Sequence, residues 1–179
     1  MMGVPTARAT DPQAPITGAS IIAAIKAAGA DIVVALPDIV TCETVLWPIE
    51  RDPGLRLVQV CKEDEGVSIC AALSYCERRA VLLIQHTGFL DSINAIRAIA
   101  AEYRLPVIMI VGLQGHEPGQ PPARSDKLGL RILHPIIEAM QIAHTILDME
   151  ADASAIVDTI DRSYETSAPH VFLVTRSPA

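Results

Sequence analysis

The sequence predicts an α/β fold: a three-layer open sheet of six mainly parallel strands with helices on both faces. Three observations carry that expectation. Helical and strand-like periods alternate from residue 16 onward. The strand candidates are short and almost wholly apolar, the pattern of strands covered on both faces. Half of the 179 residues are hydrophobic, yet the aromatics are one Trp, three Tyr and two Phe, so Ile, Val, Leu and Ala must fill the core.

Residues 1–15 hold three prolines and no periodicity, and are expected to form a flexible arm. A helix follows over 17–29, opened by Thr17 as N-cap and closed by Gly29. Residues 31–36 (DIVVAL) stop at Pro37 and form the first strand, and 41–50 a short helix. Residues 55–60 (LRLVQV) are the second strand. The helix over 64–77 places Val67, Cys70, Ala71 and Ser74 on one face. The third strand is 80–85 (AVLLIQ), followed by a helix over 91–103 with Ile93, Ile96, Ile99 and Ala100 at helical spacing. Residues 107–111 (VIMIV) are the fourth strand. Residues 112–125 are rich in Gly and Pro, a long loop whose Gly112, Gly115 and Gly119 suit a lid. A helix over 127–140 is expected to break near Pro135. A strand at 144–147, a helix over 153–166 and a strand at 171–175 complete the chain. Helix-length crossovers imply parallel pairing and right-handed connections. No internal repeat or boundary divides residues 16–179, which read as one domain.

The net charge of −7 argues against nucleic acid or an anionic membrane as partner. No apolar run reaches the roughly 18 residues that span a bilayer. The N-terminus lacks the charged-then-apolar order of a signal peptide, so the expected location is the cytoplasm. Cys42, Cys61, Cys70 and Cys76 lie in apolar segments without a C-x-x-C pair. They read as buried, reduced thiols. Nothing has metal-ligand spacing, so no metal is assigned to this chain.

Ligands of open α/β sheets bind beyond the carboxyl ends of the strands. That rule selects residues 37–41, 62–66, 86–89 and 112–125. Glu63, Asp64 and Glu65 can cap a helix and complement its dipole. Alternatively one of them faces a cleft as a proton relay, its pKa raised by apolar neighbours. Gln85-His86-Thr87-Gly88 can be a turn with a helix cap. It can equally be a wall against a flat heterocycle, with Gly88 permitting close approach and His86 available for acid–base work. Asp38 is either a turn residue beside Pro37 or a group facing a substrate. His134, His144 and His170 read as ordinary surface or core histidines. The nucleophile-elbow, dinucleotide and Walker glycine patterns are absent.

The run Glu63-Asp64-Glu65-Gly66-Val67-Ser68-Ile69-Cys70-Ala71-Ala72 resembles a known family. So do Leu82-Leu83-Ile84-Gln85-His86-Thr87-Gly88, Ser92-Ile93-Asn94-Ala95 and Arg104-Leu105-Pro106. Together they look like the alpha subunit of sulfopyruvate decarboxylase, and they are similar to the amino-terminal domain of phosphonopyruvate decarboxylase. The resemblance covers nearly the whole chain after residue 16. It implies a thiamine-diphosphate-binding fold of the pyrimidine-binding (PYR) type and a cofactor held between two α/β domains. It implies that Glu65, through its place before Gly66 and the later Ala71-Ala72, contacts N1′ of the pyrimidine and favours the tautomer that activates the cofactor. Glu63 fits that place less well by two residues. Gln85, Thr87 and Gly88 are the further cofactor-binding candidates, His86 a second catalytic candidate, and Asp38, Gln114 and His116 the substrate candidates.

Two departures shape the expectation. The G-D-G and paired-asparagine signature for diphosphate and Mg2+ is absent from this sequence. The resemblance therefore implies a beta-type partner subunit that holds the Mg2+, in a hetero-oligomer acting on a small 2-oxo acid. The tryptophan–arginine–glycine run after the fourth strand reads Leu113-Gln114-Gly115 here. An arginine offers a sulfonate or phosphonate a fixed fork of donors, so its loss opens the substrate. His116, Arg124 and Lys127 are cations that could compensate. The alternatives are a carboligase or acyloin lyase subunit, a non-catalytic regulatory or structural subunit of the same fold, and a self-contained hydrolase using His86 and Asp38.

Overall fold

A computed structural model describes residues 11–117 and 119–179. Its elements alternate as the periods require. α1 (Gly18–Ala27) leads to β1 (Ile32–Ala35), then a π turn (Cys42–Leu46) runs into α2 (Trp47–Arg51) and β2 (Arg56–Gln59). α3 (Glu63–Tyr75) and β3 (Ala80–Gln85) follow, then α4 (His86–Asp91) and α5 (Ile93–Ala95), which continues as a π-helical stretch over Ile96–Ala101. β4 (Ile108–Gly112), α6 (Leu128–Ala139), β5 (Ala143–Leu147), α7 (Ser154–Thr166) and β6 (His170–Val174) complete the order.

The six strands form one sheet in the order β2–β1–β3–β4–β6–β5, and all five pairings are parallel. The expected α/β class therefore holds. Side chains alternate between two cores. Val33, Ala35, Val81, Leu83, Ile108, Ile110, Phe172 and Val174 point to the core under α1, α2 and α7. Val34, Leu82, Ile84, Met109, Val111, Val171 and Leu173 point to the core under α3, α4, the π stretch and α6. Such two-sided burial is why the central strands read as unbroken apolar runs. The edge strands β2 and β5 are more polar and partly exposed.

Local signals explain most boundaries. The Thr17 hydroxyl accepts from Ser20 N at 3.1 Å and caps α1, and Gly29 closes the helix at φ +72°. Three expectations need correction. The helix after β3 starts at His86 rather than near residue 91, so Gln85-His86-Thr87-Gly88 is a strand-to-helix junction and not a free turn. α6 runs unbroken through Pro135, because Leu130, Leu133 and Ile137 pack into the core and hold the helix despite one missing hydrogen bond. Of the four cysteines only Cys70 is fully buried, its thiol pushed up to about 12 by burial. Cys61 and Cys76 are exposed and Cys42 is half-buried, since Cys61 follows an edge strand and Cys76 ends a helix.

The arm expected over 1–15 falls mostly outside the described residues. Of its last residues, Ala14 O accepts from Glu150 N at 2.8 Å and Pro15 bridges Met149. Among the described residues no helix is long and apolar enough to cross a membrane.

The strand order reverses direction at β1, with β2 on one side and β3 on the other. Such a reversal opens a crevice at the carboxyl ends of the strands. The segments after β1, β3 and β4 converge on it.

Candidate functional site

The first turn of α3 carries three acids with three different duties. Glu65 Oε2 accepts from Cys61 N at 3.1 Å and from Lys62 N at 3.3 Å, capping the free amides that precede the helix. Asp64 Oδ1 accepts from Glu65 N at 2.9 Å. Glu63 takes no hydrogen bond or ion pair among the described residues; its side chain lies directly over Gly88 of α4, filling the place a Cβ there would occupy. Of the three acids that the sequence offers as caps, Asp64 and Glu65 accept backbone amides here and Glu63 does not. Glu65 is exposed, so this chain alone does not give it apolar surroundings. Lys62 ties the same turn to α4 through Asp91 at 3.3 Å.

Because α4 begins directly after β3, its residues face two ways. Gly88 is turned to α3. Its near-surface is occupied by Glu63. Thr87 donates its hydroxyl to Gln85 Oε1 at 2.7 Å, a polar pair at the rim with Thr87 exposed. His86 is turned inward and is 6 % exposed. Its ring abuts Gly129 of α6, whose added Cβ would sit 3.3 Å from Nε2. Its buried Nδ1 has no hydrogen-bond partner. Burial holds the His86 imidazole below the usual histidine range, opposed by the Gly112 backbone and the Asp38 carboxylate and reinforced by Lys127.

Asp38 is also buried, at 4 % exposure. Oδ1 accepts from Val40 N at 2.6 Å and Thr41 N at 3.2 Å, and Oδ2 accepts the Thr41 hydroxyl. These bonds organise the entry to the π turn, as an Asx residue does. Gly112, at the end of β4, brings its backbone against this carboxylate: an added Cβ would lie 2.8 Å from both Asp38 Oδ1 and Val40 Cβ. The crevice at β1, β3 and β4 is therefore filled by Asp38, Val40, His86 and Gly112.

The loop after β4 is tied to itself. His116 Nε2 meets Gln120 O at 2.8 Å, Gln120 Nε2 donates to Arg124 O at 2.7 Å, and Ser125 Oγ donates to Glu117 Oε2 at 2.9 Å. Lys127 donates to Gly115 O and lies 3.7 Å from Glu117. Gln114 is exposed, whereas Leu113 is buried. Arg124 makes no ion pair or side-chain hydrogen bond among the described residues, so of the proposed compensating cations it is the uncommitted one.

The structure brings Asp38 and His86 together at the crevice, and Gln85, Thr87 and Gly88 together at the head of α4 beside Glu63. It places Gln114 and His116 on the separate loop. Sequence reasoning missed the Glu63–Gly88 contact and the part played by Gly129; a glycine and an acid far apart in sequence carry no visible signal of touching. Among the described residues no group of three or more His, Cys, Asp or Glu could hold a metal ion.

No family model matches the chain. It is 32% identical over 98 residues to sulfopyruvate decarboxylase subunit alpha of Methanothermobacter thermautotrophicus, covering 55% of this chain and 59% of that one. It is 27% identical over 159 residues to sulfopyruvate decarboxylase of Methanosarcina acetivorans, covering 87% of this chain and 39% of that protein. The chain thus matches little more than half the length of that alpha subunit. In structure it resembles the 2-oxoglutarate:ferredoxin oxidoreductase of Magnetococcus marinus, with a TM-score of 0.68 and 17% identity, covering 96% of this chain and 31% of that one. That likeness is one of fold. The chain is thus similar to sulfopyruvate decarboxylase alpha subunits, the family that its motifs resemble.

Proposed function

We propose that this chain is the alpha-type subunit of a thiamine-diphosphate-dependent decarboxylase acting on a small 2-oxo acid, with Glu65 as the acid that serves the cofactor. The observation that carries the reading is an exposed carboxylate at the carboxyl end of the sheet, in a chain related to decarboxylase alpha subunits. The residues fit one end of that cofactor. Glu65 offers an acceptor for a ring nitrogen, and the Gln85–Thr87 pair offers polar edges at the same rim. The G-D-G and paired-asparagine signature for a diphosphate and its Mg2+ does not occur in this sequence, so a beta-type partner would hold them. When bound, thiamine diphosphate supplies the electron sink for loss of carbon dioxide from a 2-oxo acid. Glu65 would exchange its capping bonds for the ring and hold a proton there, and the partner's surface would exclude water around it.

Asp38 and His86 are buried against one another's neighbours, so their part would be to fix the floor of the crevice rather than to bind substrate. Gln114 stands exposed at the arginine's place in the family's run, which favours a substrate other than sulfopyruvate. Carboligation or acyloin cleavage on the same cofactor is the second reading. The test is to co-purify the chain with a candidate partner that carries G-D-G, add thiamine diphosphate and Mg2+, and measure carbon dioxide release from a panel of 2-oxo acids including sulfopyruvate. Turnover should need both chains and fall away in Glu65→Gln. Turnover by this chain alone, or an unimpaired Glu65→Gln complex, defeats the proposal.

A further inference from the structure

We propose that the first turn of α6, flanked by Lys127 and floored by His86, binds a compact oxyanion: a carboxylate, sulfate or phosphate group. The site goes beyond the function given above and does not depend on which residue serves the cofactor. The amides of Leu128, Gly129 and Leu130 open the helix, and among the described residues nothing accepts from them. Such amides carry the positive end of the helix dipole, which an oxygen acceptor or an acid ordinarily answers. Here the cap position holds Lys127, and the first turn has no acid. Arg131 adds a second cation, donating to Ser125 O at 2.9 Å and to Asp126 O at 3.2 Å. Positive charge thus converges from the amides, Lys127 and Arg131. Glu117, 3.7 Å from Lys127, answers the lysine and leaves the amides open. The second, independent observation is His86. It is 6 % exposed, its ring lies against Gly129 in this same turn, and its Nδ1 has no hydrogen-bond partner. An imidazole always has an N–H to donate, and an oxyanion on this turn gives it an acceptor. Asp38 does not fill that place, since its oxygens are spent on Val40 and Thr41. Two glycines keep the place open. A Cβ at Gly129 would come within 3.3 Å of His86 Nε2, and one at Gly115 would strike the Lys127 side chain.

The probe is sodium sulfate, titrated into the full chain at constant ionic strength. The amide resonances of Leu128, Gly129 and Leu130 should shift and saturate. Lys127→Met should weaken binding about fivefold, as the loss of one exposed charge does, and Lys127→Arg should keep it. Lys127→Asp supplies the amides with an acceptor of its own, so it should bind no sulfate. Three results overturn the proposal: shifts that do not saturate or that fall away from this turn, unchanged affinity in Lys127→Met, or unchanged affinity in Lys127→Asp. The complex with the partner then separates two sources of the oxyanion. Sulfate that competes with the 2-oxo acid, with KM alone raised in Lys127→Met, makes it the substrate's own anionic end. Sulfate that alters turnover without competing makes it a separate small anion, and either result supports the site. A complex without turnover defeats the proposed function, while the sulfate titration of the chain alone still decides this site.

Discussion

The two sides of α4 differ as an open rim differs from a closed floor. Toward α3 the side chains are polar and largely exposed: Lys62, Glu65 and Thr87 face solvent, and Glu65 is held only by exchangeable backbone donors. Toward β1 and β4 the side chains are just as polar, but Asp38 and His86 are 4 % and 6 % exposed. Asp38 spends its oxygens on the chain's own backbone and on Thr41. Polar residues at the carboxyl end of a sheet are therefore not one class. Those that answer to the fold are satisfied internally, and those left for a ligand or partner are satisfied by bonds that can be given up.

The largest effect should separate the two sides outright. Glu65→Gln keeps an acceptor for the Cys61 and Lys62 amides, so the melting temperature should hold. Turnover of the complex should drop about 100-fold or more, the usual cost of losing a proton-handling group. A variant that unfolds instead would move Glu65 to the structural side and erase the contrast.

The converse holds for Asp38. Asp38→Ala strands two buried amides and a hydroxyl, each costing about 1–3 kcal/mol without a partner. The chain alone should lose about 3–4 kcal/mol in a urea titration. Retained stability with lost turnover would instead make Asp38 a substrate contact.

A smaller effect tests whether burial of polar groups is confined to the crevice. At the opposite end of the sheet His170 is buried, and burial, aided by His144, pushes its pKa down to about 4. Its folded-state value is depressed, so the unfolded chain takes up the proton first. The stability it contributes is whole above about pH 6.5 and drains as pH falls toward 4, on the order of 2–3 kcal/mol. His86 and His144, also held low by burial, add to the same window. Asp148, held low chiefly by its hydrogen bonds to Arg176, acts only below the ordinary carboxylate range. Unfolding midpoints measured between pH 7 and 4.5 should fall with pH in the native chain and fall distinctly less in His170→Gln.

The contrast also explains what the sequence could disclose. Apolar runs such as 80–85 and 107–111 identify strands because burial on both faces leaves only one composition possible. Thr17 and Gly29 announce helix ends because each supplies a specific local bond or dihedral. Glu65 was legible as a candidate by its spacing to Gly66 and the alanines that follow. Its capping bonds were not, because N3 and N1 acids look alike until the helix start is known to one residue. The Glu63–Gly88 contact joins two helices, and the Asp38–Gly112 contact joins two strand ends. Neither has a period, so neither leaves a trace in the linear pattern. His86 is open in the sequence to a place in a turn or to acid–base work, because nothing local says that α4 begins at that residue and turns its ring inward.

His86 should give the smallest change in stability and the sharpest comment on the comparison. Its ring is buried, yet Nδ1 bonds to nothing, so the fold gains no hydrogen bond from that atom and bears the cost of desolvating it. Replacing a buried, unpartnered polar group by an apolar one of similar bulk is close to neutral. His86→Leu should therefore change the unfolding free energy by less than about 1 kcal/mol, and should remove the His86 share of the pH dependence. A loss of several kcal/mol would mean that the imidazole is tied to its surroundings as firmly as Asp38, and would put it wholly with the floor. If stability holds and turnover of the complex falls, His86 is the one residue of the closed side that serves the chemistry. It would do so from beneath, as an imidazole that burial holds below the usual histidine range.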